Sequence, residues 1–388
     1  MVKCGFSWAL HLLRHIKKNK RMNQILSGAK KIKVVHIIPT LGLGGAERIM
    51  VDLILHGNRD VFDFSVVTIV GGGPFENELR AAGVPYYSLG KTTLFGLGML
   101  VELTQLLNRL EPDIVHTHLF GAHLWGQVAS LLNRVPIMVA SEQNTDVDLG
   151  ELRTRIKQVL SYSADTVIAA SEAIRKFLST QGHISEDKIV VIRNAIDTAR
   201  YLSLRPSVFE APMKLLSIGR LEPQKGHDVL IEALSRVHDV PWDLTIVGTG
   251  EQLDDLSDRV TLHHLNDRVH FVGTTTNIPT LIEQHDVVMM PSRWEGIGLV
   301  VIEGMAAGRL VIASNVGGIP ELITHGKTGL LVQPDNEQAL GDAIRWAWEH
   351  QPQALQIGVA AREFARQHCD VGQMVKQYER VYAHLVNQ

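Results

Sequence analysis

The sequence of 388 residues has only two cysteines, Cys4 and Cys369, which lie far apart. This excludes a disulfide framework and a cysteine-rich zinc site, and it is typical of a reducing compartment such as the cytoplasm. A strong positive excess is also missing, because the formal net charge is −3. The composition therefore gives no reason to expect nucleic acid as a partner, since proteins that bind it carry clustered positive charge.

Long apolar runs are missing as well. No stretch reaches the roughly 20 uninterrupted apolar residues that span a bilayer, so we predict that the chain does not cross a membrane. Hydrophobic residues make up 45% of the sequence and charged residues 20%, which is the usual mixture of a globular protein. At roughly 100–200 residues per domain, the length predicts two domains, each with its own core.

The N-terminal segment differs from the rest by its charge. Nine basic residues and no acidic one lie between Lys3 and Lys33. Apolar residues in this segment recur at helical spacing, which predicts a basic amphipathic helix of the kind that lies on anionic membranes. A disordered tail, a true start at Met22 and a helix packed on the body are the alternatives. We treat residues 1–31 as a separate N-terminal extension.

From Ile32 onward, short β-rich runs alternate with helical patterns. This alternation predicts right-handed βαβ crossovers and parallel sheets covered on both faces. The pattern pauses at a polar, proline-containing stretch and then restarts. We therefore predict an α/β protein with two doubly wound, Rossmann-like domains, residues 32–205 and 206–388, facing each other across a cleft. The last helix is a candidate to pack back on the N-terminal domain.

The predicted strands carry the main elements of both domains. They are Lys33–Ile38, Phe64–Val70, Asp113–His116, Pro136–Ala140 and Thr166–Ala170 in the first domain, and Lys214–Ile218, Asp243–Val247, Val269–Val272, Val287–Pro291, Leu310–Ala313 and Gly329–Val332 in the second. In parallel sheets of this kind, ligands bind outside the carboxyl ends of the strands. The motifs that carry chemistry in this sequence all follow predicted strands.

A glycine-rich turn with Gly44 and Gly45 follows the first predicted strand. Glycine lets the backbone approach a phosphate and aims the amides of the next helix at it, although a tight turn alone would also require glycine. The spacing is not the full G-x-G-x-x-G fingerprint, which argues against a nicotinamide enzyme.

The strand that begins at Asp113 ends in His116-Thr117-His118. We predict that one histidine faces the core while the other faces the cleft. His118 lies nearer the carboxyl end of the strand, so it is the predicted substrate contact. Metal binding requires more ligands than these two, and we predict no metal site here.

Two cations follow the first strand of the second domain. Arg220 comes just after the strand, and Lys225 starts the next predicted helix, so both can converge on one anion. A guanidinium binds phosphate oxygens bidentately and an ammonium adds a point charge, which suits a diphosphate. The alternative is a pair of surface charges neutralised by Glu222 or by solvent.

Two glutamates, Glu295 and Glu303, lie eight positions apart in a glycine-containing stretch. The first lies in a loop after a predicted strand, and the second lies in a helix that begins near Gly298. The amides at the start of this helix can hold a phosphate oxygen, and both carboxylates can accept hydrogen bonds from sugar hydroxyls. The pattern predicts a site for a phosphate-bearing sugar.

Together these motifs resemble those of the retaining glycosyltransferases of family 4, the group 1 glycosyltransferases, which have the GT-B fold. The resemblance covers nearly all residues from Ile32 to about Trp348. It is carried by the E-x7-E glutamates, the paired cations and two N-terminal signatures: Glu295 and Glu303, Arg220 and Lys225, Gly44-Gly45-Ala46-Glu47, and His116-Thr117-His118.

The resemblance implies a metal-independent hexosyltransferase without a cofactor. It implies transfer of a sugar from a nucleotide sugar to a glycan or polyprenyl-linked acceptor, with retention, in cell-surface polysaccharide synthesis. The implied place of work is the cytoplasm, with peripheral membrane contact through the N-terminal segment. Alternatives are a GT-B-fold sugar-nucleotide epimerase or hydrolase, and a non-catalytic protein that binds nucleotide sugars.

The resemblance also implies roles for individual residues. Arg220 and Lys225 would stabilise the departing diphosphate, Glu295 would contact the donor sugar, and His118 would hydrogen-bond near it. Glu303 would bind the ribose hydroxyls. The residues implied to bind the donor are Gly44, Gly45, Gly219, Gly250, Glu251, Ser292, Arg293, Gly298, Leu299, Val300 and Glu303; Pro291 to Arg293 are implied to line the base pocket.

Two departures from the family pattern occur. Ile297 stands where many relatives carry phenylalanine, which should matter little, and Glu142-Gln143-Asn144 stands where many carry a histidine, which affects the expected acceptor contacts. Asp146-Val147-Asp148 has the form of the metal-binding D-x-D motif of the other major glycosyltransferase fold. Because Arg220 and Lys225 already serve the diphosphate, we expect an exposed loop and no metal there.

Overall fold

The computed structural model describes residues 30–91, 96–144 and 150–388. Two predictions therefore lie outside the described residues: the basic segment up to residue 29, and Asp146-Val147-Asp148. Among the helices that the structure does describe, none combines the length and apolarity needed to cross a bilayer.

The chain divides into two compact units. The first runs to Ile192 and includes Met374–Gln388, and the second comprises Arg193–Gln373. The division lies earlier in the chain than the predicted boundary. Ile196 explains part of this difference, because it forms a β-bridge with Asp370 inside the second unit.

The first unit contains a seven-stranded parallel sheet in the order β3-β2-β1-β4-β5-β6-β7. Its central strands are almost entirely buried, as expected for a parallel sheet with helices on both faces. The strands are β1 (Ile32–Ile38), β2 (Phe62–Thr68), β3 (Tyr86–Ser88), β4 (Ile114–His118), β5 (Ile137–Glu142), β6 (Thr166–Ala169) and β7 (Ile189–Val191). The helices are α1 (Gly45–His56), α2 (Glu76–Ala81), α3 (Leu97–Leu110), α4 (Leu119–Asn133), α5 (Gly150–Ser163) and α6 (Glu172–Thr180).

The second unit contains a six-stranded parallel sheet in the order β10-β9-β8-β11-β12-β13. The strands are β8 (Met213–Ile218), β9 (Trp242–Val247), β10 (Val269–Phe271), β11 (Val287–Met290), β12 (Leu310–Ser314) and β13 (Leu330–Val332). The helices are α7 (Ala199–Leu202), α8 (His227–Leu234), α9 (Leu253–Leu262), α10 (Ile278–Glu283), α11 (Leu299–Ala306), α12 (Glu337–Glu349), α13 (Gln351–His368) and α14 (Val371–Asn387). Helix α14 begins in the second unit, and most of it belongs to the first.

Each sheet has one point where the strand order reverses. In the first unit it lies between β1 and β4, and in the second between β8 and β11. The crevice outside the carboxyl ends of the strands at such a point is where doubly wound sheets bind ligands. The predicted glycine turn and histidines follow β1 and β4, and the predicted cations and glutamates follow β8 and β11. The topology thus brings each pair of motifs to the carboxyl edge of one sheet.

Candidate functional site

Glycines pack the loops of the second unit tightly against one another. Gly226 has a φ of 64°, and a Cβ there would clash with the carbonyl oxygen of Pro291. Gly317 has a φ of 53°, and a Cβ there would clash with the carbonyl oxygen of Glu295. Only glycine combines this backbone conformation with such close approach. The loops after β8, β11 and β12 are therefore held together by backbone contact.

Lys225 and Glu295 form an ion pair between two of these loops. Both side chains are largely buried, and Ser292 Oγ donates to the same carboxylate oxygen of Glu295 over 3.2 Å. Lys225 does not start a helix as predicted, because it ends a short 3₁₀ turn and Gly226 separates it from α8. The stem of Lys225 instead crosses Gly219, where a Cβ would lie 3.1 Å from its Cγ.

Arg220 is exposed and precedes Lys225 in the same loop after β8. Its guanidinium pairs with Glu222 at 2.7 Å and donates to the side-chain oxygen of Gln224 over 2.8 Å. Gln224 in turn donates to the carbonyl oxygen of Trp294 over 3.0 Å. The pairing with Glu222 is the alternative considered for this cation, and convergence of Arg220 and Lys225 on one anion stays a prediction.

Helix α11 begins after Gly298, as the sequence predicts, and Gly298 has a φ of 72°. The amides of Leu299 and Val300 lie in its first turn, where an anion is stabilised by the helix dipole. One turn further, Glu303 accepts a hydrogen bond from the hydroxyl of Tyr201 over 3.0 Å. The start of α11 therefore places a helix N-terminus, which suits an anion, and a fixed carboxylate on one short helix.

Arg293 is tied down by several acceptors. Its guanidinium binds both carboxylate oxygens of Asp228 at 2.9 and 2.8 Å, and it also contacts Asp335 at 2.7 Å and the carbonyl oxygen of Pro223 at 2.7 Å. Burial raises the pKa of Asp228, but the hydrogen bonds and the charge of Arg293, together with backbone hydrogen bonds, outweigh burial and hold this pKa below its usual value. These contacts give Arg293 a structural role, and its place in a base pocket stays a prediction.

The remaining residues that were predicted to bind the donor in this part of the second unit lie after β8 and β9. Gly250 packs on Leu221, because a Cβ on Gly250 would clash with the carbonyl oxygen of Leu221, and Glu251 is exposed beside it. His227 is buried next to Ser217, with 3.3 Å between its Nδ1 and Ser217 Oγ. Burial, followed by the charge of Lys225, lowers the pKa of His227 to about 4. A neutral ring therefore lies beside the cation.

The glycine turn of the first unit lies at the start of α1. Gly44 is the residue before the helix, and Gly45 is its first residue. A Cβ on Gly44 would meet only the flexible carboxylate of Glu47. The backbone contact that requires glycine lies elsewhere, at Gly73 after β2, where a Cβ would clash with the carbonyl oxygen of Leu41. The sequence did not single out Gly73.

His36, His116 and His118 form a buried cluster, which we call the histidine cluster. Their relative exposures are 0%, 0% and 1%. His36 Nδ1 lies 3.0 Å from His118 Nε2. His116 Nδ1 lies 2.6 Å from the hydroxyl of Tyr382 on α14, and its Nε2 lies 2.7 Å from Ser141 Oγ.

The prediction that His116 and His118 point in opposite directions is wrong. Residues two apart on a strand share one face of the sheet, and the two rings lie 4.2 Å apart between centroids. Burial lowers the pKa of His118 to about 3, with a further lowering from nearby His123. Burial also lowers the pKa of His36 and of His116 well below the usual value, and the charge of His118 adds to both effects. The cluster is therefore neutral at pH 7.

The ring nitrogens of the histidine cluster are also the atoms that could hold a metal ion, since one from each ring lies within 4.8 Å of the others. Neutral imidazole is a common zinc ligand. In this cluster, however, both nitrogens of His116 and one of each other ring already take part in hydrogen bonds. The arrangement is accounted for without a metal, and metal independence of the protein stays a prediction.

Glu142, the last residue of β5, lies near the histidine cluster and is also paired. Glu142 accepts from Lys157 Nζ over 2.9 Å, and its other oxygen lies 3.5 Å from His123 Nε2. His123 Nδ1 lies 2.8 Å from Thr117 Oγ1. Glu142 therefore belongs to a buried polar network.

Several residues of these sites escaped the sequence analysis. They are His36, Gly73, Tyr201, Gln224, His227, Gly317 and Tyr382. Most act across long sequence separations, as Tyr201 and Glu303 do at 102 positions and His116 and Tyr382 do at 266. His36 had a detectable signal, because it is a polar residue in the middle of a continuous apolar strand.

Comparison with known proteins gives two family models that match consecutive parts of the chain. The model described as Glycosyltransferase Family 4 matches residues 43–200, and the model described as Glycosyl transferases group 1 matches residues 205–364. The first match covers the glycine turn from Leu43 and the histidine signature, and the second covers both cations and both glutamates.

Curated relatives share between a quarter and a third of their residues with this chain over the matched part. Glycogen synthase of Mycobacterium tuberculosis is 32% identical over 269 residues, which make up 65% of this chain and 64% of that protein. The matched part thus spans less than two thirds of that relative. The UDP-Gal:alpha-D-GlcNAc-diphosphoundecaprenol alpha-1,3-galactosyltransferase of Escherichia coli is 25% identical over 340 residues, which make up 81% of this chain and 87% of that protein.

Solved structures match the fold over most of the chain. The crystal structure of Anabaena HepE in complex with UDP and glucose has a TM-score of 0.81 at 24% identity and covers 91% of this chain and 100% of that one. The same protein in complex with UDP-glucose has a TM-score of 0.80 at 25% identity. The predicted GT-B fold, with two Rossmann-like domains, is confirmed.

Proposed function

Because the chain belongs to the group 1 glycosyltransferases of family 4, we propose that it transfers a sugar from a nucleoside diphosphate sugar to a glycan or polyprenyl-linked acceptor, with retention of configuration. The acceptor class is supported by the lipid-linked acceptor in the name of the Escherichia coli relative. The proposed setting is cell-surface polysaccharide synthesis at the cytoplasmic side of a membrane.

The observation that carries this proposal is the group of charged residues at the carboxyl edge of the second sheet. Lys225 and Glu295 are bound to each other there on loops that glycine contacts hold together. The first turn of α11 adds backbone amides, and Glu303 is fixed by Tyr201. An anionic phosphate suits the helix end and the cations, and sugar hydroxyls suit the carboxylates.

In the proposed reaction, the bond between the anomeric carbon and the diphosphate oxygen breaks as the acceptor oxygen attacks from the same face. The proton of the acceptor hydroxyl leaves with the diphosphate. Negative charge develops on the diphosphate, where Lys225, Arg220 and the amides of Leu299 and Val300 stabilise it. Electrostatic groups positioned in advance are worth about 2.7–4 kcal/mol per well-placed donor in other enzymes.

The other residues serve the donor in this proposal. Glu303 accepts hydrogen bonds from ribose hydroxyls, Glu295 contacts the donor sugar, and His118 hydrogen-bonds near it. The remaining residues proposed to contact the donor are Gly44, Gly45, Gly219, Gly250, Glu251, Ser292 and Gly298. No step in the proposal uses a metal, so activity should persist in a chelator.

The first experiment is a thermal shift screen of the purified protein against UDP-, GDP- and ADP-sugars, with UDP-glucose included because it is bound in the HepE structure. We expect one nucleotide class to raise the Tm selectively. Glu303→Ala and Arg220→Ala should each abolish the shift. Lys214→Ala is the matched control, because Lys214 is an exposed cation at the other end of β8.

A second assay separates transfer from the other activities that this fold supports. Donor turnover is measured with and without a polyprenyl-linked acceptor. Turnover that depends on acceptor supports a transferase, whereas equal turnover without acceptor indicates a hydrolase or epimerase. Donor binding without any turnover indicates a non-catalytic protein, and absence of donor binding contradicts the proposal.

Membrane contact through the basic N-terminal segment is part of the proposal. Nine basic residues and no acidic one between Lys3 and Lys33 favour anionic lipids. The full chain should co-sediment with anionic liposomes and less with neutral ones. Unchanged binding to liposomes after deletion of residues 1–21 would contradict the proposed membrane contact.

A further inference from the structure

His36 and His118 are joined by one hydrogen bond inside the first unit. It connects Nδ1 of His36 with Nε2 of His118 over 3.0 Å. The opposite ring nitrogens, Nε2 of His36 and Nδ1 of His118, are buried and have no hydrogen-bond partner among the described residues. Whether each unpaired nitrogen carries a proton is therefore decided by which ring donates in the shared hydrogen bond.

His116 cannot replace His36 as the partner of His118. Its Nδ1 is hydrogen-bonded to the hydroxyl of Tyr382, and its Nε2 is hydrogen-bonded to Ser141. Its ring packs against His118 without a hydrogen bond between them. The tautomer of His118 therefore depends on His36.

Two neutral imidazoles that share one hydrogen bond have only two arrangements, since each ring carries one N–H. In the first, Nδ1 of His36 donates, and His118 carries its own proton on the unpaired Nδ1. In the second, Nε2 of His118 donates, and the unpaired N–H lies on Nε2 of His36. The arrangements differ in which buried nitrogen carries an N–H without a partner.

The position of the two rings favours the first arrangement. His36 lies in the interior of β1, between the rings of Phe64 and His116, at centroid distances of 5.8 and 5.0 Å. His118 is the last residue of β4 and precedes α4, at the edge where ligands bind. Buried N–H groups without an acceptor are rarer than unused acceptors. We therefore assign the N–H to Nδ1 of His118, the ring that lies nearer the edge of the sheet at which ligands bind.

We propose that His36 is a positioning residue that holds His118 in the Nδ1–H tautomer, so that His118 donates a hydrogen bond to an oxygen of the transferred sugar. This inference rests on the proposed function for its kinetic part. Free imidazole side chains in water prefer the proton on Nε2. Without His36, His118 would therefore present a lone pair where the sugar oxygen needs a donor.

The tautomer can be measured without any substrate. The full chain is labelled with ¹⁵N in its 18 histidines, and ring nitrogens with and without a proton have well-separated ¹⁵N shifts. His118→Asn and His36→Asn assign the two rings. We expect a proton on Nδ1 of both rings in the wild type, and a shift of the His118 proton toward Nε2 in His36→Leu.

The kinetic arm compares two variants of similar size. His36→Leu should lower kcat by about 10- to 100-fold, the size of loss seen when the partner that orients a metal-bound histidine is removed in other proteins, with the KM for donor little changed. His36→Asn should restore much of the rate, because its side-chain amide can donate from near the position of Nδ1. Val35→Ala is the stability control, since residue 35 points to the other face of β1 and packs in the apolar core.

Several results would overturn the inference. They are a wild-type His118 with its proton on Nε2, an unchanged tautomer in His36→Leu, a rate loss no greater than that of Val35→Ala at equal Tm, and a stoichiometric metal bound by these rings. If no donor is turned over, the proposed function fails, whereas the ¹⁵N measurement still decides the tautomer.

Discussion

The carboxyl edges of the two sheets have the same topology but differ in charge, because one has neutral side chains and the other has charged ones. The first unit has three neutral rings, buried on one face of the sheet and fixed by hydrogen bonds to side chains such as Tyr382. The second has charged groups on loops, paired as Lys225 with Glu295 and Arg220 with Glu222. Both edges lie at a point where the strand order reverses.

The difference shows how one architecture supports two kinds of chemistry. Neutral rings give direction to a hydrogen bond, because a tautomer has one donor and one acceptor. Charged groups instead stabilise charge that develops during a reaction, and they are held in advance by glycine-packed loops. We therefore expect substitutions in the second unit to affect turnover most, and changes of pH to act strongly on the first.

The largest expected effect is that of Lys225→Ala. Turnover should fall by about 10²–10³-fold, as for loss of one preorganised donor. The free energy of unfolding should fall by about 1–3 kcal/mol, because the buried carboxylate of Glu295 loses its partner. The double variant Lys225→Ala with Glu295→Gln should regain stability, because glutamine is uncharged, but it should not regain turnover. Wild-type turnover in Lys225→Ala, measured beside the control Lys214→Ala, would contradict the proposed role.

Acid should destabilise the first unit through the histidine cluster. The unfolded rings bind protons below about pH 6.5, whereas the folded rings have lowered pKa values, that of His118 being about 3. The unfolded state then binds more protons, so stability is lost as the pH falls below about 6.5 toward the lowered pKa values of the folded state. The loss is at most about 1.4 kcal/mol per pH unit for each histidine that stays neutral in the folded state. In urea unfolding at pH 7 and pH 5, His116→Gln should show a shallower dependence. The control is His270→Gln, an exposed site on β10, and equal slopes in both variants would exclude this explanation.

Tyr201→Phe tests whether the fixed position of Glu303 matters for donor binding. The change removes the hydroxyl that donates to Glu303 over 3.0 Å. We expect the Kd of the donor nucleotide to rise by about tenfold, which corresponds to about 1.4 kcal/mol. Tyr162→Phe, at an exposed site on α5, is the matched control. Titration calorimetry that gives the same Kd for both variants would show that Glu303 does not need this contact.

The smallest expected effect is that of Arg293→Lys. Lysine cannot bind both oxygens of Asp228 while also reaching Asp335, so the free energy of unfolding should fall by about 1 kcal/mol. Preference between nucleotide bases should stay the same if Arg293 only supports the loop. Arg345→Lys provides a surface comparison, because Arg345 pairs with exposed Asp239. A changed base preference would instead place Arg293 in the base pocket.

Eleven strands of the fold follow from the sequence, because buried parallel strands are continuous apolar runs. For example, β1 was predicted from Lys33 and begins at Ile32, and β11 was predicted to Pro291 and ends at Met290. The short edge strands β3 and β7 were missed, whereas β10 and β13, which are equally short and also lie at an edge, were predicted. Length and edge position therefore do not by themselves explain which strands the local pattern reveals.

The candidate site was predictable where a motif is local. The start of α11 after Gly298 and the loop position of Glu295 follow from residues near in sequence, whereas Lys225 was predicted to start a helix and instead ends a 3₁₀ turn. What the motif cannot give is the partner, because Lys225 and Glu295 are 70 positions apart and Tyr201 lies 102 positions from Glu303. The prediction for His116 and His118 failed for a different reason, because residues two apart on a strand lie on the same face and both rings therefore lie together.

Helix α14 has a consequence for how the protein is made. The chain leaves the first unit after Ile192 and returns to it only at Met374. On the ribosome, N-terminal domains generally fold first. Here, the hydroxyl that holds His116 belongs to Tyr382, close to the end of the chain. The interior of the first unit therefore stays incomplete until the whole second unit and the segment with Tyr382 have been synthesised.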